Sequence, residues 1–406
     1  MKRLLLSVAA MPLILGGLSM DAYAEDGFNI LSDVKFSGEI RPRYEYADIK
    51  DNTKDAANAF TARTSLGIGA KLLEVDGLSA YLEGTSVNNF GYDNYNSTAN
   101  AKTQYDIIVD PQQARMTQAY IDYKLDKTLI RAGRQDVNID NQRFIGTVNW
   151  RQMKQTYDAI TVVDHSFENL SLLGAYVYGY QSVKDLPTTD TASLLLHASY
   201  KVMDELTVTA YDYMLASISD TYGVALTGDI DAEGAKLTYR AEYAKQTDPS
   251  LEYQIKNVKA DAEYYNLDLG ANISGVLAGV NYESLGKAQG SATRGFWTPL
   301  ATLHAFNGWA DVFLGSTNNA GLNDANARLG YTEKGFGKLL AVYHKFDAQT
   351  GSNKDLGSEI DVMYTNAIPG MKNLKGLVKY AGYFKGDTGN DKDVAWLMLD
   401  YTFATK

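Results

Sequence analysis

The chain has no cysteine, and only seven prolines and four histidines, in 406 residues. Without cysteine, no disulfide can hold the fold together, so an exported protein of this kind needs another source of stability. Beyond residue 24 there is no run of about 18 apolar residues, which excludes a transmembrane helix. No glycine-rich run leads into a helix, as a phosphate-binding loop requires. There is also no basic helix and no clustered Lys/Arg face, and the formal net charge is -11. Nucleic acid is therefore excluded as a partner.

What is present points elsewhere. Apolar residues make up 45% of the chain, with 35 glycines and 29 tyrosines against 13 phenylalanines and four tryptophans. The N-terminus carries Lys2 and Arg3, then an apolar stretch from Leu4 to Met20, then Ala22-Tyr23-Ala24. Small residues at the -3 and -1 positions predict a secretory signal peptide over residues 1–24. Residues 25–406 are then one mature domain, with no linker.

The mature part alternates with period two. In VKFSGEIRPRYEY, Val34 to Tyr46, the charges Lys35, Glu39, Arg41, Arg43 and Glu45 all fall on one face, opposite Phe36, Ile40, Tyr44 and Tyr46. A helix would scatter these charges around its axis. The pattern recurs in TARTSLGIGAKL, which carries Arg63, and in QAYIDYKL. It recurs again in AKLTYRAEY, which carries Lys236, Arg240 and Glu242, and in LGSEIDVMY, which carries Glu359 and Asp361. Tight turns are expected at Val75 to Leu78, Leu125 to Thr128, Met203 to Leu206 and Gly228 to Gly234. Long polar stretches such as Asn88 to Gln113 lie between them.

The expected fold class is all-β: a transmembrane antiparallel β-barrel with long extracellular loops and short periplasmic turns. Alternation alone yields about nineteen strands, an odd number, and the rhythm of turns breaks between Leu285 and Gly337. At roughly 21 residues per strand and connection, the length predicts 18 strands. Such a barrel is roughly 35 Å across, too wide for side chains to fill.

A lipid-facing arginine near the bilayer midplane costs about 2–4 kcal/mol. Arg41, Arg43, Arg63, Arg131 and Arg240 are therefore expected to line a pore, with Lys236, Glu39, Glu83, Glu242, Glu359 and Asp361. Arg134 has outward parity. A bulge at Gly133 would turn it inward, and on that basis Arg134 is counted with the expected pore lining; otherwise it lies beyond the hydrocarbon layer. Arg143 and Arg151 belong to the connection from Asp136 to Arg151. That stretch and Asn88 to Gln113 are the candidates for a constriction, and Arg151 completes the expected pore lining.

The segment AGRQDVNIDNQRFIGTVNWRQMKQTYDAI resembles a signature of the alginate-export family of outer-membrane porins. So do Pro299 to Phe313 and Tyr343 to Val362. The resemblance implies an 18-stranded monomer with an arginine-lined lumen. The residues imply a passive channel for small hydrophilic, anion-preferring solutes, because the arginines are interleaved with carboxylates. A dedicated exporter of an anionic polysaccharide such as alginate, with an anionic oligosaccharide as partner, is the alternative. The expected surroundings are outer-membrane lipid, and no cofactor or metal is implied.

An outer-membrane barrel enzyme is the reading from another class. None of His165, His197, His304 or His344 sits in a Ser/His/Asp or HExxH arrangement. His197 is expected to face inward. His304 and His344 are expected to pack near strand ends. Glu359 and Asp361 have a spacing that glycosidase chemistry could use, but lumen-facing charges produce it far more often. Asp387, Asp391 and Asp393 loosely suggest a calcium loop but lack its glycine and terminal glutamate. No catalytic set is expected.

Overall fold

A computed structural model describes residues 29–254, 258–315 and 319–405; the expected signal peptide lies outside the described residues. The chain begins with β1 (Leu31–Ile49), β2 (Ala57–Leu72) and β3 (Leu78–Asn88), then a two-residue stub, β4 (Asp93–Asn94). It continues with β5 (Gln113–Leu125), β6 (Thr128–Gln135), β7 (Thr156–Asp164), β8 (Leu170–Gln181), β9 (Thr189–Met203), β10 (Leu206–Leu215) and β11 (Ser219–Ala232). It ends with β12 (Ala235–Thr247), β13 (Asp261–Ile273), β14 (Val276–Leu285), β15 (Leu322–Glu333), β16 (Gly337–Asp347), β17 (Asp355–Ala367), β18 (Leu374–Phe384) and β19 (Lys392–Ala404).

Each long strand pairs antiparallel with the next. The last strand then pairs with the first, from Ser37 opposite Ala404 to Ile49 opposite Lys392. This closes the sheet and leaves no free edge. The stub β4 rests on β2, within the connection from β3 to β5, so the wall itself has 18 strands. The nineteenth strand suggested by alternation is not a wall strand. Among the described residues, no strand lies between β14 and β15, where the rhythm of turns fails. The turn expected over Gly228 to Gly234 shrinks to Glu233-Gly234, because β11 runs on to Ala232.

The period-two pattern has a simple spatial meaning. Outward positions such as Ile40, Leu82, Ile160, Leu196, Leu226, Leu267, Val280, Leu329, Val378 and Leu397 are all exposed on the barrel's outer surface. Moving a side chain of this size from water into an apolar phase is worth roughly 1.5–3 kcal/mol. Outward tyrosines form two girdles. Tyr222, Tyr243, Tyr265, Tyr282, Tyr343 and Tyr380 lie toward the loop end, and Tyr123, Tyr200, Tyr364 and Tyr401 toward the turn end. An apolar band between aromatic girdles is the surface of a barrel that spans a membrane.

The packed core lies inside the barrel. Phe144, Ile145, Phe296 and Leu300 come from two connections and pack against the wall residues Tyr157, Tyr211 and Tyr264. Phe144 meets Tyr264 edge-on at 5.3 Å between ring centres and Tyr211 at 5.4 Å. The lumen of this wide barrel is thus occupied by folded chain.

Candidate functional site

Two connections cross the lumen and bind each other. Residues 136–155 join β6 to β7, and residues 286–321 join β14 to β15. Ile145 and Leu300 form a parallel bridge between them, and the Gly146 amide donates to the Leu300 carbonyl at 2.9 Å. A Cβ on Gly146 would come within 2.3 Å of Thr302 Oγ1, so glycine permits this close approach.

The first connection is gripped by arginines on the β1–β2 wall. Four consecutive carbonyls accept hydrogen bonds: Asn149 and Arg151 from Arg41 at 2.9 and 2.7 Å, Trp150 from Arg43 at 2.6 Å, and Gln152 from Arg63 at 2.7 Å. Arg43 also pairs with Asp110, from the connection between β3 and β5, and with Glu45 at 3.2 Å. Asp110 accepts from the Gln152 amide at 2.8 Å. Burial favours protonating this carboxyl, but Arg43 and Arg151 outweigh it and hold its pKa below the usual range. Buried guanidinium groups require such partners, since an isolated buried charge is prohibitively costly.

The other end of the same connection reaches the opposite wall. Arg143 donates to Glu283 on β14 at 2.6 and 3.2 Å, and to Asn307 at 3.0 Å. Asp140 pairs with Arg240 on β12 at 2.5 Å. Arg151 joins Glu45 on β1, at 3.1 Å, to Asp311 in the second connection, at 2.7 Å.

The second connection is held by β17 to β19. Glu359 accepts from the Ala310 amide at 2.7 Å, and Asp361 from the Trp309 amide at 3.2 Å. Gly308 has φ +83°, and a Cβ there would lie 2.5 Å from the Glu359 carboxylate. Lys379 on β18 has its Nζ 4.4 Å from the ring centre of Trp150, 3.8 Å from Trp309 and 5.3 Å from Trp396. Its ammonium donates to His304 Nε2 at 2.7 Å. His304 Nδ1 lies 2.9 Å from Asp311. Burial is the main cause holding the His304 pKa down to about 3, with Lys379 and Arg151 adding to it. The neutral ring therefore donates from Nδ1 to Asp311 and accepts at Nε2. Burial raises the Asp311 pKa, but His304, Arg151 and Lys392 together hold it well below the ordinary carboxylate range.

The other expected pore residues are distributed as follows. Glu39 pairs with Arg63 at 3.2 Å, and Glu83 with Lys154 at 2.8 Å. Glu242 accepts from Tyr211 at 2.7 Å and from Arg240 at 2.8 Å. Arg131 faces inward near the turn end, paired with Asp122 at 2.7 Å and lying over Tyr120. Lys236 sits at the exposed turn-end rim with Asp229. Arg134 does not line the pore. The register through Gly133 is unbroken, so no bulge redirects it. It pairs with Asp158, which shares the outward parity of exposed Ile160 and Val162, and also bonds Gln181 and Thr188 near the loop end.

His197 faces inward as expected. His304 does not pack at a strand end, whereas His344 lies near the loop end of β16 as expected but faces the lumen. His304 lies in a short 3-10 turn inside the lumen, and His344 is buried within β16, 2.9 Å from Asp324. Asp387, Asp391 and Asp393 turn to separate partners, the Asp355 amide, the Lys385 amide and Tyr380. The alternation reading missed Arg115. Its register was obscured by a bulge opposite Glu83 and Gly84, although exposed Met116 beside it marks the outward face. Arg115 donates from Nη2 to the Lys154 carbonyl at 2.6 Å, and its Nε and Nη1 are buried without partners.

Below the crossed connections, toward the turns, a cavity of about 490 Å³ remains. It is lined by residues of β11 to β16 and roofed by Asn141 and by Ala305 to Trp309.

A family model described as alginate export matches residues 34–273. No curated protein matches. The fold is similar to that of Acinetobacter baumannii OccAB3, with TM-score 0.74 and 16% identity over 92% of this chain and all (100%) of that one. It is similar to Pseudomonas aeruginosa OpdO, with TM-score 0.73 and 14% identity over 93% of this chain and 99% of that one. Pseudomonas aeruginosa OpdK, solved with vanillate, gives TM-score 0.73 and 14% identity over 93% and 100%.

Proposed function

This chain belongs to the alginate export family and stands in the bacterial outer membrane, and from that premise we propose that it is a passive channel for small hydrophilic solutes. One observation carries the reading. Two connections are tied across the lumen by buried ion pairs and leave a cavity of about 490 Å³, room for a small solute. Export of a polysaccharide chain would require the plug to leave. Parting one partner from a buried pair costs about 3–5 kcal/mol, and the plug-to-wall pairs Arg143–Glu283 and Arg151–Glu45 would both have to part.

We further propose an anion preference, carried by Arg115. Its guanidinium faces the lumen with no carboxylate on it, whereas Arg143, Arg151 and Arg240 are already neutralised. Charge without a local counter-ion is what biases ion passage. A catalytic role is not part of this reading. Both ring nitrogens of His304 are engaged, and those of His344 lie against Asp324 and Asp361, so neither ring has a free base.

The test is the conductance and reversal potential of the purified barrel in a planar bilayer under a salt gradient. Stable conductance with a modest anion bias is expected. A silent barrel would sink the channel reading, and block by uronic-acid oligomers with tight selectivity would favour polysaccharide export.

A further inference from the structure

The cavity beneath the plug has its own chemistry. Its wall carries three asparagines in a row across β13, β14 and β15. Asn326 donates to Asn281 at 3.2 Å, and Asn281 donates to Asn266 at 3.3 Å. An amide offers two donors and an acceptor with two lone pairs. Asn281 spends its second donor on the Leu267 carbonyl at 3.3 Å and keeps one acceptor position, while Asn266 and Asn326 each keep a donor. Phe306 and Trp309 form part of the roof. One ring of this pair carries Arg143 at 4.7 Å and the other Lys379 at 3.8 Å.

The charged groups at this wall are already satisfied. Arg328 makes a bidentate pair with Asp268 at 2.6 and 2.7 Å. Arg240 makes one with Asp140 at 3.1 and 2.5 Å and also bonds Glu242 at 2.8 Å. Glu283 is held by Arg143, and Asp324 by His344. An entering anion meets arginines whose charge is already neutralised, beside the carboxylates that neutralise it. An entering cation meets carboxylates that are likewise engaged. What remains on offer is a set of neutral donors and acceptors beside aromatic rings. The volume lies within the range of roughly 300–1,000 Å³ typical of small-molecule sites.

We propose that this cavity is a subsite for a neutral sugar of one or two rings. The amide row matches vicinal hydroxyls, which each donate and accept, and the aromatic roof suits the apolar face of a sugar ring. The proposal rests on the channel reading for its route of entry, but not on the anion preference.

The experiment uses the full mature barrel in planar bilayers, with maltose added on the side of the turns. Maltose is expected to interrupt the current in a concentration-dependent way. The double variant Asn281→Ala/Asn326→Ala should weaken the block at least tenfold while the barrel still conducts in salt alone. Glucuronate and spermidine, the anionic and cationic probes, should block more weakly than maltose. A conducting channel that ignores maltose overturns the proposal. So does maltose block indifferent to the two asparagines, or stronger block by either charged probe that depends on them. If the barrel does not conduct, the channel reading fails on its own. Titration calorimetry of the detergent-solubilised barrel then reads the subsite directly: saturable maltose heat that the double variant loses supports it, and no heat overturns it.

Discussion

The indole of Trp150 lies parallel to the imidazole of His304, 4.4 Å away and tilted by only 4°. One ring belongs to each of the two connections that cross the lumen, so the stack reports their mutual docking. It is also where docking responds to acid. His304 has its pKa held to about 3, against an ordinary 6.5, chiefly by burial. The docked state therefore binds fewer protons than an undocked one across that window. Its stability is full above pH 6.5 and falls as the pH drops toward 3, by about 1.4 kcal/mol per pH unit for one proton. The depressed Asp311 carboxyl adds a further loss below 3.8. Arg151, which also faces the ring, stays charged throughout. Tryptophan emission is expected to shift to the red between pH 6.5 and 4, and His304→Asn should abolish that shift. An unchanged titration in the variant would remove His304 from the account.

Arg143→Ala should release one end of the plug from the far wall. It leaves Glu283 buried beside Tyr264 without its guanidinium, at a cost of about 3–5 kcal/mol. Larger and noisier single-channel currents are expected. Arg143→Met combined with Glu283→Leu should recover much of the wild-type trace, because replacing both partners with apolar groups removes the stranded charge. Wild-type currents in the single variant would show that this pair does not hold the plug.

Arg115→Ala and Arg134→Ala should separate inner from outer wall. The first removes a lumen guanidinium that lacks a carboxylate, so the reversal potential should move toward cation preference. The second alters the outer face, where Arg134 is paired with Asp158, and should leave the reversal potential in place. Equal effects of the two would overturn the assignment of faces.

Leu267→Arg places a charge at the middle of β13 on the outer surface, where Leu267 is 58% exposed on the barrel. A loss of about 2–4 kcal/mol is expected in lipid. Denaturant titration of the barrel refolded into vesicles measures it, and no loss would place this belt outside the hydrocarbon.

Much of the wall was legible in the sequence because period two leaves little choice of face. Arg41, Arg43, Arg63, Glu242, Glu359 and Asp361 could each be assigned to the lumen from their neighbours alone. Arg134 shows the limit of the expected pore list, since its outward parity was visible and only an imagined bulge at Gly133 could have overridden it. The plug was half legible. Asp136 to Arg151 stood out by its arginines, but the connection from 286 to 321 carries no period, and polar connections look alike whether water or protein surrounds them. Nothing local in Glu283 announces Arg143, 140 residues earlier in the chain. Such pairs are specified by closure of the wall, not by spacing.

That closure also ties assembly of the wall to that of the plug. β1 contributes Arg41 and Arg43 to the plug, and the same strand forms the seam with β19. β19, the strand that closes the wall, is therefore needed to complete the strand environment in which Arg41 and Arg43 sit. A wall without β19 has an open edge beside those arginines, so sealing the wall and seating the plug draw on the same strand.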